Sequence, residues 1–410
     1  MMLRTRTKTV TALAGAAAIT LALAACQGGQ SGGGGEGGGN DEIVIGVLAV
    51  DSGNLSFAMG EAERAIQAVL DENGDEIDGK KLRLIYEGTD GTTGSAQDAV
   101  RKLVENDGVD IVLGPASGDE GETVVQYALT APDVTFVNGA ASPVGMTLEG
   151  AENFFRFMGD SAMWMGGLGD YAYNEKGYES MYILSEDYSF PYDNAGGFFD
   201  EFCAAGGELL GASWVPVGTQ DYATIIAQIP SEVDAIYVGL GGADAASFLA
   251  QAVSNGLDKP IVGGSITVDQ TALSGDANIK DAAIGTITGG PVPGVGYDNP
   301  EWTAFTEAVE NPNIFTLLYY QAFDAMYQAL AEVGGDLSDD QAAFREAMQN
   351  ISYDGPAGPM TLDENRQAIV DNFLTEVVEG PDGSLITEQI SQASGVEQGT
   401  TVYDRFESCP

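Results

Sequence analysis

Apolar residues along the chain fall into short continuous runs, separated by stretches in which apolar and polar residues alternate at helical spacing. Runs such as IVIGVLAV, DIVLG and AIYVGL have no polar face, so both faces of each strand should be buried. Strands of this kind occur in parallel sheets covered by helices on both sides, which predicts an α/β fold. The predicted strands are Ile43–Val50, Leu82–Tyr86, Val109–Leu113, Val134–Asn138, Ser180–Ser185, Leu209–Val215, Ala235–Leu240 and Pro260–Gly263.

Predicted helices fill most of the gaps between these strands. After Gly290 the chain changes character, with the loop PVPGVGYDNP followed by a helical region. Roughly 370 residues lie beyond Asn40, which is too many for one core and suits two α/β lobes. The predicted helices are Met59–Glu72, Ser95–Asn106, a segment ending at Leu129, Ala162–Glu175, Asn194–Ala204, Tyr222–Gln228, Ala243–Asn255, Glu301–Val309, Leu317–Val333 and Ser338–Asn350.

Two small-residue loops follow neighbouring strands in the stretch Val109–Thr147. Ligands bind at the carboxyl edge of an open α/β sheet, where backbone N–H groups and short hydroxyls can reach them. Ser117 and Ser142 are therefore the first candidates for a binding site. In the second loop we also expect the backbone amides of Ala140 and Ser142 to hold an acceptor group of the ligand, because no bulky side chain stands near them.

The same stretch resembles the type I solute-binding proteins of ABC importers, the family that includes the leucine/isoleucine/valine-binding proteins. That family has an "IIGP..S" loop and an "SP.AT.P.LT" loop in its first lobe. Here the corresponding residues are IVLGPAS at Ile111–Ser117 and NGAASPVGMT at Asn138–Thr147. The resemblance extends from about Glu42 to about Val378, and therefore covers most of the chain.

The resemblance implies two Rossmann-like lobes with parallel sheets, joined by a hinge of three crossovers. Residues 41–158 plus 290–370 would form lobe 1, and residues 159–289 plus 371–410 would form lobe 2. Phe154–Ser161 resembles the first crossover and Thr288–Pro291 the second. The segment from Asp354 to Asp363 resembles the part of the family that precedes the third.

Residues 1–25 have a basic opening, a short apolar core and a small-residue ending, which is typical of a secretory signal peptide. The ending Leu23–Cys26 resembles a bacterial lipoprotein box, which implies cleavage before Cys26 and lipidation of its thiol. The alternative is a plain signal peptide followed by an incidental cysteine. Residues 26–40 are rich in glycine after Cys26, with Gln, Ser and one Glu among them, so they are predicted to be a flexible tether.

Charge and composition exclude several function classes. The chain has 62 acidic residues against 16 basic ones, a net charge of −46, which repels nucleic acid and anionic lipid headgroups. This acidity fits either solubility or a saline habitat. Histidine is absent, which removes the usual general base and the commonest metal ligand. The glycines of Gly239–Asp244 match a dinucleotide-binding fingerprint only in part. From these observations together we expect a protein that is not an enzyme and that holds no cofactor and no metal.

Three cysteines are present, and the lipoprotein box accounts for Cys26. Cys203 and Cys409 remain as a possible pair, and an exported protein reaches compartments where disulfides persist. In the resembled family the chain ends in lobe 2, where Cys203 lies on a predicted helix. A disulfide between Cys203 and Cys409 would then pin the tail Val396–Pro410.

The resemblance also implies a set of ligand-binding residues. The two lobe 1 loops would grip a carboxylate and neighbouring polar atoms of the ligand. Phe57 or Met59 would supply an aromatic or apolar contact from the first loop, and Phe315 with Tyr320 would form a late apolar wall. The segment DYSFPY after a lobe 2 strand resembles the family's "D..YG" loop. The implied site residues are Ser117, Gly118, Ala140, Ala141, Ser142, Phe57, Tyr188, Phe190, Gly241, Ser265 and Phe315.

Two of these positions depart from the amino-acid-binding members. Ser265 stands where those members carry an acid that pairs with the ligand's ammonium, and Gly241 stands where they carry an aromatic. A buried cation without a carboxylate partner is costly. Asp187 and Asp269 are the candidates for that partner.

The expected function is capture of a small polar organic ligand by closure of the lobes, followed by delivery to an ABC importer permease. The protein would act as a monomer outside the cytoplasm, attached to the membrane through its lipid only. The alternative is a ligand-sensing surface lipoprotein that signals to a partner without transport. A neighbouring permease gene would distinguish the two.

Overall fold

The computed structural model describes residues 42–53, 55–273 and 279–410, apart from the side chains of Gln270 and Thr271. The predicted signal peptide, Cys26 and the Gly-rich tether lie outside the described residues. Within the described ranges the first sheet has six strands in the order β2-β3-β1-β4-β5-β6. These strands are β1 (Glu42–Val50), β2 (Glu76–Ile77), β3 (Lys80–Thr89), β4 (Ile111–Leu113), β5 (Thr135–Val137) and β6 (Phe154–Phe155).

All neighbours in this sheet are parallel except β2 and β3. The central strands are buried along their length because helices cover both faces. Chain-distant helices complete the lobe: α12 is buried on nearly all sides and packs in one core with α1 and β1. The helices are α1 (Ala58–Asn73), α2 (Thr93–Arg101), which continues as a π-helix (Lys102–Asp107), α3 (Gly118–Ala128), α4 (Gly145–Leu148), α11 (Pro300–Ala308), α12 (Ile314–Glu332) and α13 (Ser338–Gln349).

The second sheet has nine strands in the described part of the chain, in the order β12-β13-β14-β11-β10-β9-β7-β8, with β15 paired to β14. Strands β7 to β11 are parallel, and the pairs made by β12 to β15 are antiparallel. These strands are β7 (Ser180–Glu186), β8 (Glu208–Val215), β9 (Ala235–Gly239), β10 (Ile261–Gly263), β11 (Ile287–Gly290), β12 (Tyr353–Gly355), β13 (Gly358–Leu362), β14 (Ala368–Glu379) and β15 (Leu385–Val396).

Helices flank this sheet as well. They are a 3₁₀ turn (Met163–Met165), α5 (Leu168–Asn174), α6 (Ser189–Ala205), α7 (Ala223–Ile226), α8 (Gly242–Ala252), α9 (Gln270–Leu273) and α10 (Lys280–Ala283). The predicted fold class is confirmed: the chain is α/β, with two mainly parallel sheets that form two lobes.

Three details differ from the sequence analysis. The predicted helix Ala162–Glu175 is interrupted, because Gly166 and Gly167 separate the 3₁₀ turn from α5. Helix α6 begins at Ser189, five residues before the predicted start. The long antiparallel strands β14 and β15 were not predicted at all. The lobe boundaries stay a prediction: β12 and β13 pair into the second sheet, whereas Tyr353 and Met360 pack in the first lobe's core.

The C-terminal tail, residues 397–410, lies along α6. Cys203 and Cys409 form a disulfide across a sequence separation of 206 residues, as the cysteine analysis predicted. Tyr403 packs on Gly196, where a Cβ would overlap its ring. Phe406 makes edge contacts with the rings of Phe199 and Trp214. The tail is therefore held to lobe 2 by a covalent bond and by an aromatic cluster.

Candidate ligand site

The first lobe 1 loop leads from β4 into α3. Ser117 stands directly before α3, and its hydroxyl donates to the carbonyl of Gly91 at 3.3 Å. Its backbone N–H donates to the carboxylate of Glu120, also at 3.3 Å. Gly118 faces the second loop, since a Cβ there would lie 3.1 Å from Pro143. Ser117 thus uses its donors within the lobe, at the edge where the two loops meet.

The second loop follows β5 and contains Ser142, which is 4% exposed. The carbonyl of Ser142 accepts hydrogen bonds, but its N–H and its hydroxyl have no partner among the described residues. The amides of Ala140 and Ala141 both donate to the carbonyl of Pro115, at 2.9 and 3.3 Å. The Ala140 amide therefore joins the two loops in this structure, and its role toward a ligand stays a prediction. The two donors of Ser142 have no partner among the described residues.

Tyr319 explains part of the small-residue pattern in this loop. A Cβ at Gly139 would lie 2.5 Å from the Tyr319 ring, whose hydroxyl donates to the carbonyl of Leu48 at 2.8 Å. A Cβ at Gly121 would similarly lie 2.6 Å from Ala141. The sequence analysis attributed these small residues to ligand access alone. Close packing against α12 and α3 requires them as well.

Aromatic side chains form one group in each lobe. In lobe 1 the rings of Phe57 and Phe315 meet edge to face at 5.2 Å, and Phe57 is 42% exposed. In lobe 2 Phe190 stacks on Tyr188 at 6.2 Å and meets Trp164 edge to face at 6.0 Å. Phe190 is partly buried against the core cluster that contains Trp164 together with buried residues of lobe 1. The sequence analysis missed Trp164, which follows the first crossover.

Ser265 and Gly241 lie in lobe 2 on neighbouring loops. The N–H of Ser265 donates to Oδ1 of Asn194 at 3.1 Å, and Nδ2 of Asn194 donates to the Ser265 hydroxyl at 3.3 Å. Gly241 precedes α8, and a Cβ there would overlap the side chain of Ile266. Ile266 therefore occupies the space that the aromatic of the amino-acid-binding members would require.

A buried acidic pair stands at the carboxyl end of β7. Glu186 is 4% exposed and Asp244 is 5% exposed. Burial and the nearby charge of Asp244 raise the pKa of Glu186 to about 7. Burial, with the charge of Glu186, also raises the pKa of Tyr188. Asp187, one of the two predicted cation partners, instead forms an ion pair with Arg405 at 2.6 Å. Glu186 is the acid that the sequence analysis did not consider.

The lobes touch at the edge formed by the two lobe 1 loops and the start of α6. The Ser189 hydroxyl donates to Asp119 at 3.4 Å, and the N–H of Val144 donates to Asp193 at 3.0 Å. Asp193 is buried, which raises its pKa to about 6. These contacts bring Ser117, Gly118 and Ser142 next to the lobe 2 segment that contains Tyr188 and Phe190.

A cavity of about 630 Å³ is lined in part by Ser265. Its walls include the loop after β11, Trp302 of α11, and Asn313 and Ile314 at the start of α12. Neither Ser117 nor Ser142 lines it. The predicted residues thus form two neighbourhoods, one around Ser142 and one around Ser265, and only the second lines this cavity.

In the part of the chain that the structure describes, no cluster of three or more acidic or cysteine side chains is placed to hold a metal ion. No helix within those residues is both long enough and apolar enough to cross a membrane.

Residues 42–383 match the family model described as periplasmic binding protein. The chain belongs to that family. Among curated periplasmic binding proteins it is 27% identical, over 226 residues, to Leu/Ile/Val-binding protein homolog 6 of Brucella melitensis. The match covers 53% of this chain and 57% of that relative, so the chain spans little more than half the length of the relative.

Solved periplasmic binding proteins share the fold over most of the chain. An ABC transporter substrate-binding protein from Sphaerobacter thermophilus superimposes with a TM-score of 0.81 at 25% identity, covering 87% of this chain and 99% of that one. A solute-binding protein of Rhodopseudomonas palustris, in complex with 3,4-dihydroxybenzoic acid, gives 0.79 at 22% identity, covering 88% and 99%. The resemblance read from the two lobe 1 loops is confirmed.

Proposed function

We propose that this chain is the extracytoplasmic solute-binding protein of an ABC importer, anchored to the membrane by a lipid on Cys26. It captures a small polar organic ligand between its lobes, delivers it to a permease and catalyses no reaction. One observation carries the proposal: Ser142 is buried at the carboxyl edge of lobe 1, and both its N–H and its hydroxyl lack a partner among the described residues. The Ser142 hydroxyl is not among the fully buried unpaired side-chain atoms of the described residues, so it reaches open space, where a ligand acceptor would pair it.

The surroundings narrow the chemistry of the ligand. The donors of Ser142 suit a carboxylate or an amide oxygen. The aromatic groups of Phe57 with Phe315 and of Phe190 with Trp164 suit an apolar or aromatic body. Glu186 supplies an acceptor on the lobe 2 side for an ammonium or a hydroxyl.

Two ligand classes satisfy these three requirements. The first is a branched-chain-like amino acid or its amide, as the name of the Brucella relative suggests. The second is a hydroxylated aromatic acid, as in the Rhodopseudomonas palustris complex. No contact in the described ranges favours the alternative of a sensing lipoprotein.

A thermal-shift screen with a matched pair of variants tests whether Ser142 binds the ligand, an interaction that we call the ligand grip. The panel contains L-leucine, L-isoleucine, L-leucinamide, benzoate and 3,4-dihydroxybenzoate. A ligand present at about 100 times its Kd stabilises the folded state by roughly 2.7 kcal/mol, which raises the melting temperature measurably.

Ser142→Ala should weaken binding roughly 5- to 150-fold, because the ligand acceptor loses a donor. Ser254→Ala, in the exposed turn that follows α8, is the matched control and should bind as the wild type does. A panel without any shift, or an unchanged shift in a folded Ser142→Ala protein, contradicts the proposal.

A further inference from the structure

A chain of hydrogen bonds joins the Ser142 neighbourhood to the Ser265 neighbourhood through the first crossover. Ser161, in that crossover, donates to the carbonyl of Ser142 from its N–H at 2.8 Å and from its hydroxyl at 2.9 Å. The carbonyl of Ser161 in turn accepts from Nδ2 of Asn194 at 2.8 Å. Asn194 then bonds both the N–H and the hydroxyl of Ser265.

The central residues of this series of hydrogen bonds are buried. Ser161 is fully buried, and Asn194 is 1% exposed. The Tyr237 hydroxyl donates to Oδ1 of Asn194 at 3.0 Å and fixes the orientation of the amide. A Cβ at Gly264 would lie 2.7 Å from the same oxygen, so the loop before Ser265 approaches Asn194 as closely as a glycine allows. Buried and fully bonded groups of this kind act as a unit.

We propose that Ser161 and Asn194 are positioning residues, which hold the Ser142 donors in lobe 1 in register with the Ser265 loop in lobe 2. The inference rests on the proposed function. Neither residue needs to touch a ligand. Their role is to fix the Ser142 loop and the Ser265 loop relative to each other at the crossover, so that a ligand gripped at Ser142 meets a Ser265 loop already in place.

Amide hydrogen exchange of the ligand-free protein gives the first test. Asn194→Ala removes the acceptor of the Ser265 N–H, so exchange at Ser265 should rise by about 10-fold or more. We call the proposed coupling through Ser161 and Asn194 the relay. It predicts a comparable rise in exchange at the N–H of Ser161, whose acceptor is Ser142 rather than Asn194. A purely local role for Asn194 would raise exchange at Ser265 only, and that result would overturn the proposal.

Asn153 provides the matched control. It is a buried asparagine of lobe 1, 4% exposed, whose Nδ2 donates to the carbonyls of Ala128, Ala131 and Val134. Asn153→Ala should destabilise the fold through a comparable loss of hydrogen bonds. It should leave exchange at Ser161 and Ser265 unchanged once the loss of global stability is taken into account.

Binding of L-leucine and of 3,4-dihydroxybenzoate gives the second test, by calorimetry. If Asn194 positions the Ser142 donors, the two substitutions should not be additive. The fold loss of affinity caused by Ser142→Ala should then be at least about 3-fold smaller in an Asn194→Ala background than in the wild type. In an Asn153→Ala background its cost should be unchanged. Strict additivity with Asn194→Ala would refute the relay. If neither compound binds, the exchange experiment alone decides.

The two proposals fail in different ways. Unchanged affinity for a bound compound in the Ser142→Ala protein refutes the ligand grip and leaves the exchange result to judge the relay. A weakened Ser142→Ala protein whose defect simply adds to that of Asn194→Ala supports the grip and refutes the relay.

Discussion

Removing the Cys203–Cys409 disulfide should destabilise the protein strongly. The bond closes a loop whose ends are 206 residues apart. In the chain-entropy model a loop of this length restricts the unfolded chain by about 5 kcal/mol at 25 °C, and native disulfides generally contribute about 2–5 kcal/mol. We therefore expect the free energy of unfolding to fall by about 3–5 kcal/mol in the double variant Cys203→Ala/Cys409→Ala.

Guanidinium chloride unfolding measures this effect, followed by tryptophan fluorescence and by circular dichroism. The double variant and the reduced wild type should unfold at the same lowered midpoint, because both lack the same constraint. Phe406→Ala keeps the disulfide and removes only the ring that packs on Phe199 and Trp214, so it isolates the contribution of the tail's packing. A midpoint that reduction leaves unchanged would show that the unfolded chain gains no freedom, and the reasoning would fail.

Three further predictions concern single positions. Cys26→Ser should move the protein from the membrane to the soluble fraction after cell fractionation, and a variant that stays with the membrane argues against lipidation. Glu186→Gln should remove a pH dependence of stability. Because the raised pKa favours the protonated acid in the folded state, the contribution of Glu186 to stability is fully present below pH about 4.5 and falls by about 3 kcal/mol as pH rises to about 7. Melting curves across that range should therefore be flatter in the variant, and parallel curves would contradict the prediction. Gly139→Ala should lower stability by about 1–3 kcal/mol, since its methyl group meets the Tyr319 ring, whereas an unchanged unfolding midpoint would mean that the ring can move aside.

Strands with long apolar runs could be predicted from the sequence, and the polar strand β15 could not. Strand β9 and the part of β1 after Glu42 consist of apolar residues and glycine, because helices cover both of their faces. Strand β15 is different: it reads LITEQISQASGV, and all of its residues except Leu385 are at least partly exposed. Its pairing with β14 supplies backbone hydrogen bonds without an apolar pattern. A strand of that kind resembles a polar loop in a single sequence.

The start of α6 was misplaced for a different reason. Pro191 and the aromatic residues beside it suggested a loop, but proline is tolerated in the first turn of a helix, where its missing N–H leaves no bond unmade. Tyr188 and Phe190 consequently project from a helix start rather than from a free loop.

In the candidate site, residues whose role depends on their neighbours in the sequence could be predicted, and residues whose role depends on distant partners could not. Ser142 was accessible to sequence reasoning because its strand, its loop and its small neighbours are all local. Ser161, Asn194 and Tyr319 were not, because the partners that give them a role lie 19, 71 and 271 residues away along the chain. Glu186 was overlooked because its burial and its closeness to Asp244, which follows another strand, arise only in the folded chain.

The interleaving of the two lobes also has a consequence for biosynthesis. The core of lobe 1 contains β1 from the beginning of the described chain and α12, which begins only at Ile314. Until α12 emerges, the apolar face of β1 and α1 has no cover, so about three quarters of the chain must be made before this lobe can complete its core. A ribosome-bound chain of this protein would stay loosely folded until late in its synthesis. That delay would suit the export that we propose for this chain, because a polypeptide crosses a translocation channel unfolded.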